Sequence, residues 1–339
     1  MLAHERKLQS RFRGALLGCA VGDALGFPYQ DYSRSFMRSL LDSLTAEFSR
    51  HQSGFYPLGQ YTDDTQMAQA VGEAIIEAGG VSGQAIAEHL IPLWRDQLVV
   101  DRSASCTEAM ERIVRGEVGW QQSGLPIGRV ESGPLPRVLP VALWDHAHPE
   151  RMAADVEAVV VITHRDPRAI AAAAAIGAAI AHNVTSNDLI LGGFLDHVSQ
   201  AAGRFYGDLA EAILDFPRLL SQTEYRAFEI IGAFAASASG ERPPGFDEGV
   251  AENALHAVLA VLYYFLKNPF DFEKAVESSL RAGGDVDTAS ALLGALSGAL
   301  LGVEAIPAPL ASTVLDAAAI RDLADRLFAR WRDRHGPTD

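Results

Sequence analysis

The sequence predicts an all-α fold, a compact multi-helix bundle in one domain over residues 1–339. Three observations carry that expectation. Apolar residues recur with a period near 3.6 through most of the 339 residues. Helix-ending and helix-starting residues punctuate the periodic stretches. No linker divides the chain, and no 20–50-residue repeat is visible. Residues 8–25 form the first helix, small and apolar, with Asp23 interrupting the run. Residues 65–79 place Met67, Val71 and Ile75 on one face and stop at Gly79-Gly80. Residues 83–98 and 105–115 repeat the pattern. Residues 152–163 contain the β-branched run VVVIT, which leaves a short buried strand open as an alternative. Pro167 suits the first turn of a helix reaching His182, whose alanines favour close packing. Further helices fit 186–202, 207–215, 223–236, 248–267, 272–282, 288–302 and 316–334. Two stretches break the pattern: 28–61, with scattered aromatics, and 116–140, rich in Gly and Pro. Loops this long in a helical domain are functional or disordered, and their mixed composition favours function.

Composition narrows the function. Hydrophobic residues are 48% and charged residues 21%, enough to build a core. Lys+Arg 28 against Asp+Glu 43 leaves −15, which disfavours nucleic acid and anionic membranes as partners. Two cysteines, Cys19 and Cys106, are too few for a disulfide framework and fit a reducing compartment. No charge-free run of about 18 apolar residues suggests a membrane span, and the N-terminal stretch does not read as a signal peptide. The expectation is a cytoplasmic protein.

Two short clusters carry the chemistry. Thr62-Asp63-Asp64-Thr65 precedes the helix at 65–79, and Gly283-Gly284-Asp285-Val286-Asp287-Thr288 precedes the helix at 288–302. Helix capping explains one such cluster, because Thr and Asp are favoured at helix starts. Yet a cap needs one side chain, and each cluster sets two acids beside a hydroxyl. Adjacent carboxylates repel unless a cation compensates. Carboxylate and hydroxyl oxygens suit hard divalent cations, and four acids from two helix starts suffice for two of them. The Gly283-Gly284 pair lets backbone approach a ligand closely.

Five blocks then resemble the ADP-ribosylglycohydrolase family: RFRGALLGCAVGDALG (11–26), TDDTQM (62–67), SGPLPRVLPVAL (132–143), THRDPRAI (163–170) and AGGDVDTASALLGALSGALLG (282–302). They occur in family order over roughly residues 11–310. The resemblance implies a compact all-α domain with a binuclear Mg2+ or Mn2+ centre in a cleft. It implies hydrolysis at ribose C1 of ADP-ribose linked to a protein side chain, by a metal-activated water, with ADP-ribose as product. It implies Thr62, Asp63, Asp64, Asp285, Asp287 and Thr288 as metal ligands, and Asp64 or Asp101 as the catalytic base. Ser103, Ser132, Gly133, His164 and Gly284 fall at positions that contact substrate, and members of the family are often monomers. Two departures stand out. Gln30 occupies a position where many members have glutamate, and Ser132-Gly133 replaces the usual Asn-Gly. A neutral Gln30 disfavours serine-linked substrates, and Asp101 favours the arginine-directed branch. The alternatives are an immunity-type protein that blocks an ADP-ribosylating toxin, or a hydrolase of serine-linked, O-acyl or nucleic-acid-linked ADP-ribose.

Other residues admit plainer roles. Cys19 and Cys106 fit packing. The arginines at 321–334 interleave with Asp322, Asp325 and Asp333, as on a solvated helix face. Phe55, Tyr56 and Tyr61 fit either a substrate-stacking loop or the core, and Arg137 either a pyrophosphate contact or a structural ion pair.

Overall fold

The glycines of the first helix explain the centre of the fold. Gly14, Gly18, Gly22 and Gly26 lie four residues apart, on one face of the helix. They abut Gly298, Gly294, Ser290 and Asp287 of a helix near the C-terminus, in reverse order, so the two helices run antiparallel. A Cβ at Gly22 would stand 1.9 Å from the Ser290 carbonyl oxygen, so backbone meets backbone here. This contact lays the GDALG end of one helix against the GGDVDT start of the other.

The protein is described here by a computed structural model covering residues 3–40 and 42–336; position 41 of the first long loop lies outside the described residues. Its helices are α1 (Ala3–Gly26), α2 (Arg34–Ser39), α3 (Asp63–Ala78), α4 (Gly83–Arg95), α5 (Ala104–Val114), α6 (Trp120–Ser123), α7 (Leu139–Asp145), α8 (Pro149–Val160) and α9 (Pro167–Thr185). They continue as α10 (Leu191–Gly203), α11 (Gly207–Leu214), α12 (Phe216–Leu220), α13 (Glu224–Ser239), α14 (Ala254–Lys267), α15 (Phe272–Leu280), α16 (Val286–Leu301), α17 (Ala308–Thr313) and α18 (Ala317–His335). Among the described residues there is no sheet, only three isolated bridges: Leu125 with His164, Glu131 with Asn253, and Val250 with Gly284. The all-α expectation holds.

The local differences have physical causes. The VVVIT stretch forms no strand: Val159 and Val160 end α8, where Met152, Val156, Val159 and Val160 enter the core, and 161–163 form a turn. The helix expected over 248–267 starts only at Ala254, where the Asn253 side chain accepts the amides of Leu255 and His256. The one expected over 186–202 starts at Leu191. The loop at 28–61 contains α2, anchored by the buried Arg34. Its guanidinium donates to Glu224 at 2.5 Å and lies over the rings of Phe228 and Phe246, 4.3 and 4.1 Å from their centroids.

Helix α9 lies in the core, with every alanine from Ala169 to Ala181 buried. It is long and apolar enough to cross a membrane by length and composition, yet 83% of its apolar window is buried against other helices. On α18, Arg326 pairs with Glu73 at 2.5 Å and Asp322 at 2.6 Å, and Asp325 receives Arg13 of α1 at 2.6 Å.

Candidate functional site

The start of α3 is capped from two sides. Thr62 is the N-cap, and its hydroxyl accepts the Asp64 amide at 3.4 Å. Asp23 of α1, wholly buried, accepts the Thr62 amide at 3.0 Å, the Thr65 amide at 3.1 Å and the Thr65 hydroxyl at 2.6 Å. Capping is thereby complete without Asp63 or Asp64. Burial pushes the Asp23 carboxyl up to about 6 against the pull of the Thr65 and Thr62 hydrogen bonds. Asp23 was visible in the sequence only as a charge interrupting an apolar run.

The start of α16 departs further from capping. Asp285 stands at the N-cap position, but its side chain makes no capping bond. Its Oδ2 instead accepts the Ser132 hydroxyl at 2.8 Å. The turn ahead of it needs both glycines: Gly283 and Gly284 have φ of 74° and 81°, and a Cβ on Gly284 would stand 2.2 Å from the Val250 carbonyl oxygen.

Both helix starts open on one cleft of 430 Å³, lined by Asp63, Asp64, Asp285, Asp287, Thr288, Asp101, Ser103, Ser132 and Gly133. Asp63 Oδ2, Asp64 Oδ2 and Asp287 Oδ1 are buried with no hydrogen-bond partner. Burial, then the surrounding negative charge, holds Asp63, Asp64 and Asp287 well above the usual carboxylate range. Asp285 is also raised by burial, with Ser132 and Thr288 pulling it back. Buried carboxylate oxygens without partners, on residues that line one cleft, suit a hard divalent cation. Among the described residues, no three acidic, His or Cys side chains already stand as a closed ligand set. The fit therefore rests on the unpartnered oxygens and their chemistry.

Asp101 occupies a left-handed backbone conformation, φ 53°, half-buried in the cleft wall. Burial raises its carboxyl, and a hydrogen bond from the Gln30 side chain lowers it in part. Ser103 caps α5, accepting the Cys106 amide at 3.3 Å.

Several expected site residues fall elsewhere. Thr62 does not line the cleft, because its hydroxyl faces the cap of α3. Gly284 lines a neighbouring cavity rather than the cleft, since its φ and backbone bonds serve the turn. His164 is wholly buried behind the wall, bonded through Nδ1 to the Thr163 hydroxyl at 2.8 Å. Arg137 is wholly buried too, against Met67 Sδ, Cys106 Sγ and the Thr163 hydroxyl, out of reach of a pyrophosphate. Phe55, Tyr56 and Tyr61 do not line the cleft; Phe55 is exposed, Tyr56 packs on Phe27 and His51, and Tyr61 bonds Asp316 at 3.1 Å. Cys19 and Cys106 are buried and unpaired, as packing residues should be.

The cleft also takes in Gln30, Asp31, Arg102, Arg129, Glu131 and Glu252, of which only Gln30 carried a sequence signal. Glu252 falls in a stretch the pattern read as helix, and Glu131 precedes the Ser132-Gly133 pair without a motif of its own.

Fold and site together define a helical protein built around one polyacidic cleft. A sequence model of the ADP-ribosylglycohydrolase family matches residues 4–337, and the chain belongs to that family. It is similar to the ADP-ribosyl-[dinitrogen reductase] glycohydrolase of Rhodospirillum rubrum, 27% identical over 90% of this chain and 88% of that one. It is also similar to the ADP-ribosylarginine hydrolase Tri1 of Serratia proteamaculans, 23% identical over 96% of this chain and 81% of that one. A solved structure titled ADP-ribosylglycohydrolase-related protein complex shares the fold, with a TM-score of 0.75 and 20% identity over 96% of this chain and 99% of that one.

Proposed function

We propose that this glycohydrolase releases ADP-ribose from modified protein side chains, with arginine as the linkage, and that it works with two Mg2+ or Mn2+ ions. The observation that carries the reading is the set of unpartnered buried oxygens on Asp63, Asp64 and Asp287 in a single cleft. Asp63, Asp64, Asp285, Asp287 and Thr288 are the residues to hold the cations. When bound, such cations offset the carboxylate repulsion, ligate ribose hydroxyls and acidify water.

The chain's own residues then have distinct tasks. Asp23 sets the start of α3 and so aims Asp63 and Asp64. Ser132 holds Asp285. Asp64 or Asp101 accepts the proton of the attacking water, within a wall of carboxylates that favours the positive charge developing on the ribose. Asp101 has the softer environment, half-buried and bonded to a neutral Gln30 that cannot itself act as a base. The arginine linkage is supported by the relatives named as ADP-ribosylarginine hydrolases and by the acidic cleft, which suits a guanidinium leaving group. The buried free thiols support a reducing, cytoplasmic setting.

The test is release of free ADP-ribose from an arginine-ADP-ribosylated protein with Mg2+, with Mn2+ and with a chelator, beside a serine-ADP-ribosylated peptide. Release from arginine alone, lost on chelation, is the expected result. Release from serine, or release that survives chelation, overturns the linkage or the metal dependence. No release from either substrate overturns the hydrolase assignment to protein side chains.

A further inference from the structure

Glu131 lines the cleft but caps no helix and lies outside the two acidic helix starts. Its backbone is clamped on both sides. Glu131 bridges to Asn253, the Ser132 amide donates to the Glu252 carbonyl at 2.9 Å, and the Ala254 amide donates to the Val130 carbonyl at 2.6 Å. Its carboxylate is held as well. Arg129 Nε donates to Oε1 at 2.8 Å, whereas Oε2 is buried without a hydrogen-bond partner, with His164 Nε2, likewise unpartnered, 3.4 Å away.

The orientation of that histidine follows from hydrogen-bond logic. The Arg137 guanidinium can only donate, so the Thr163 hydroxyl oxygen accepts from it. The Thr163 hydroxyl is then free to donate to His164 Nδ1 at 2.8 Å. A proton on Nε2 turns an N–H rather than a lone pair toward the ionised Glu131 carboxylate, the orientation that electrostatics favours. Hydrogen bonds run Arg137, Thr163, His164 through the core and end 3.4 Å from the Glu131 carboxylate in the cleft wall. Burial pushes the Glu131 carboxyl up, but His164 and Arg129 outweigh it and bring it down to about 2, so it is ionised throughout the working range.

What such a carboxylate can meet is narrow if the cleft takes an ADP-ribosyl group, the reading on which this inference rests. It repels the pyrophosphate. The hydroxyls of the scissile ribose fall to the aspartates. A guanidinium is better served by acids that have no cation, whereas Glu131 already has Arg129. Beside the adenine edge, there remains the vicinal diol of the other ribose. Each of its hydroxyls both donates and accepts, and the adjacent Glu131 and Arg129 supply one acceptor and one donor.

We infer that Glu131, paired with Arg129, is a specificity residue that reads the free 2′,3′-diol of the adenosine ribose and rejects a phosphate at its 2′ position. Arg129 and the clamped backbone position it, with His164 Nε2 3.4 Å behind.

The test is calorimetric binding of ADP-ribose, its 2′-phosphate and its hypoxanthine analogue to the wild-type chain and to Glu131→Gln, an isosteric change at a half-buried side chain. Wild type is expected to favour ADP-ribose over the 2′-phosphate by about tenfold or more, as like-charge juxtaposition demands. In Glu131→Gln the preference falls to within about twofold, and on turnover KM rises much more than kcat. His164→Gln shifts KM in the same direction by less. If wild type binds ADP-ribose but does not discriminate, or if Glu131→Gln keeps the full preference, the assignment of Glu131 falls and the hydrolase reading stands. An effect confined to the hypoxanthine analogue overturns the diol in favour of the adenine edge. If wild type binds none of the three, the ADP-ribosyl reading falls with it.

Discussion

Asp23 and Asp64 are both buried carboxylates at the start of α3, and their partners make them opposites. Asp23 accepts three hydrogen bonds and holds the helix start, whereas Asp64 keeps an oxygen with no partner. Asp64→Asn should therefore abolish ADP-ribose release, by at least about a hundredfold, while leaving the metal-free protein as stable as wild type or more so, because a repelling charge is gone. Turnover and thermal melting of the variant check this; a large loss of melting temperature without metal would contradict it. Asp23→Ala should do the reverse, lowering stability by about 2 kcal/mol or more through the lost cap. A second residue-scale prediction concerns pH. His256 accepts the Ala251 amide through Nδ1 at 3.1 Å and lies near Arg34, and burial first, then Arg34, brings it down to about 4. Its unfolded value is about 6.5. Between those values the unfolded chain takes up a proton and the native chain does not, so this stabilisation is complete above about pH 6.5 and is lost as pH falls toward 4. The raised aspartates act with the opposite sign over the same range. The histidine effect is thus read as a difference: the stability gap between wild type and His256→Gln should shrink by up to about 2 kcal/mol from pH 7.5 to pH 5. A gap that widened on acidification would refute it.

At the scale of elements, the contact between α1 and α16 does the positioning. Gly22 has no room for a Cβ, whereas Gly193 in the first turn of α10 has nothing within 4 Å of where its Cβ would be. Gly22→Ala should cost about 1–3 kcal/mol or more by forcing two backbones apart, and should weaken divalent-cation binding because Asp287 moves with α16. Gly193→Ala should stabilise by about 0.5–1 kcal/mol with no effect on binding. Chemical denaturation of the two variants separates them, and equal effects would mean that the close approach is not what holds the site. The four-residue spacing of those glycines was present in the sequence, but spacing alone does not say which helix lies opposite. The element read least well at 248–254 is a segment where a cap and bridges to distant residues override local pattern. Asn253 both caps α14 and bridges Glu131.

At the scale of the whole molecule, the cleft gathers acids from the α1–α2 loop, α3, the segment before α5, the segment at 129–133, the loop at 252 and the start of α16. A net charge of −15 without a cation at this convergence carries a repulsive cost. Adding Mg2+ or Mn2+ should therefore stabilise the fold in proportion to the logarithm of concentration, by about 2.7 kcal/mol at a hundred times Kd, and raise the melting temperature accordingly. The shift should vanish in Asp63→Ala and Asp285→Ala. A wild-type melting temperature indifferent to either cation would speak against the metal reading whatever the activity shows.

The sequence by itself determined the helical class, the two acidic helix starts and the family, because those are local patterns: periodicity, caps and short motifs in order. It also singled out Gln30 and Ser132-Gly133 as expected departures from the family pattern. Only the tertiary structure decided which of the marked residues share the cleft. Thr62, Gly284, His164 and Arg137 carry motif signals yet face a cap, a turn, a wall and the core. Glu131, Glu252, Asp31 and Arg129 carry none yet line the cleft. The reason is that a side chain's exposure depends on helices hundreds of residues apart meeting backbone to backbone, and no local pattern encodes that meeting.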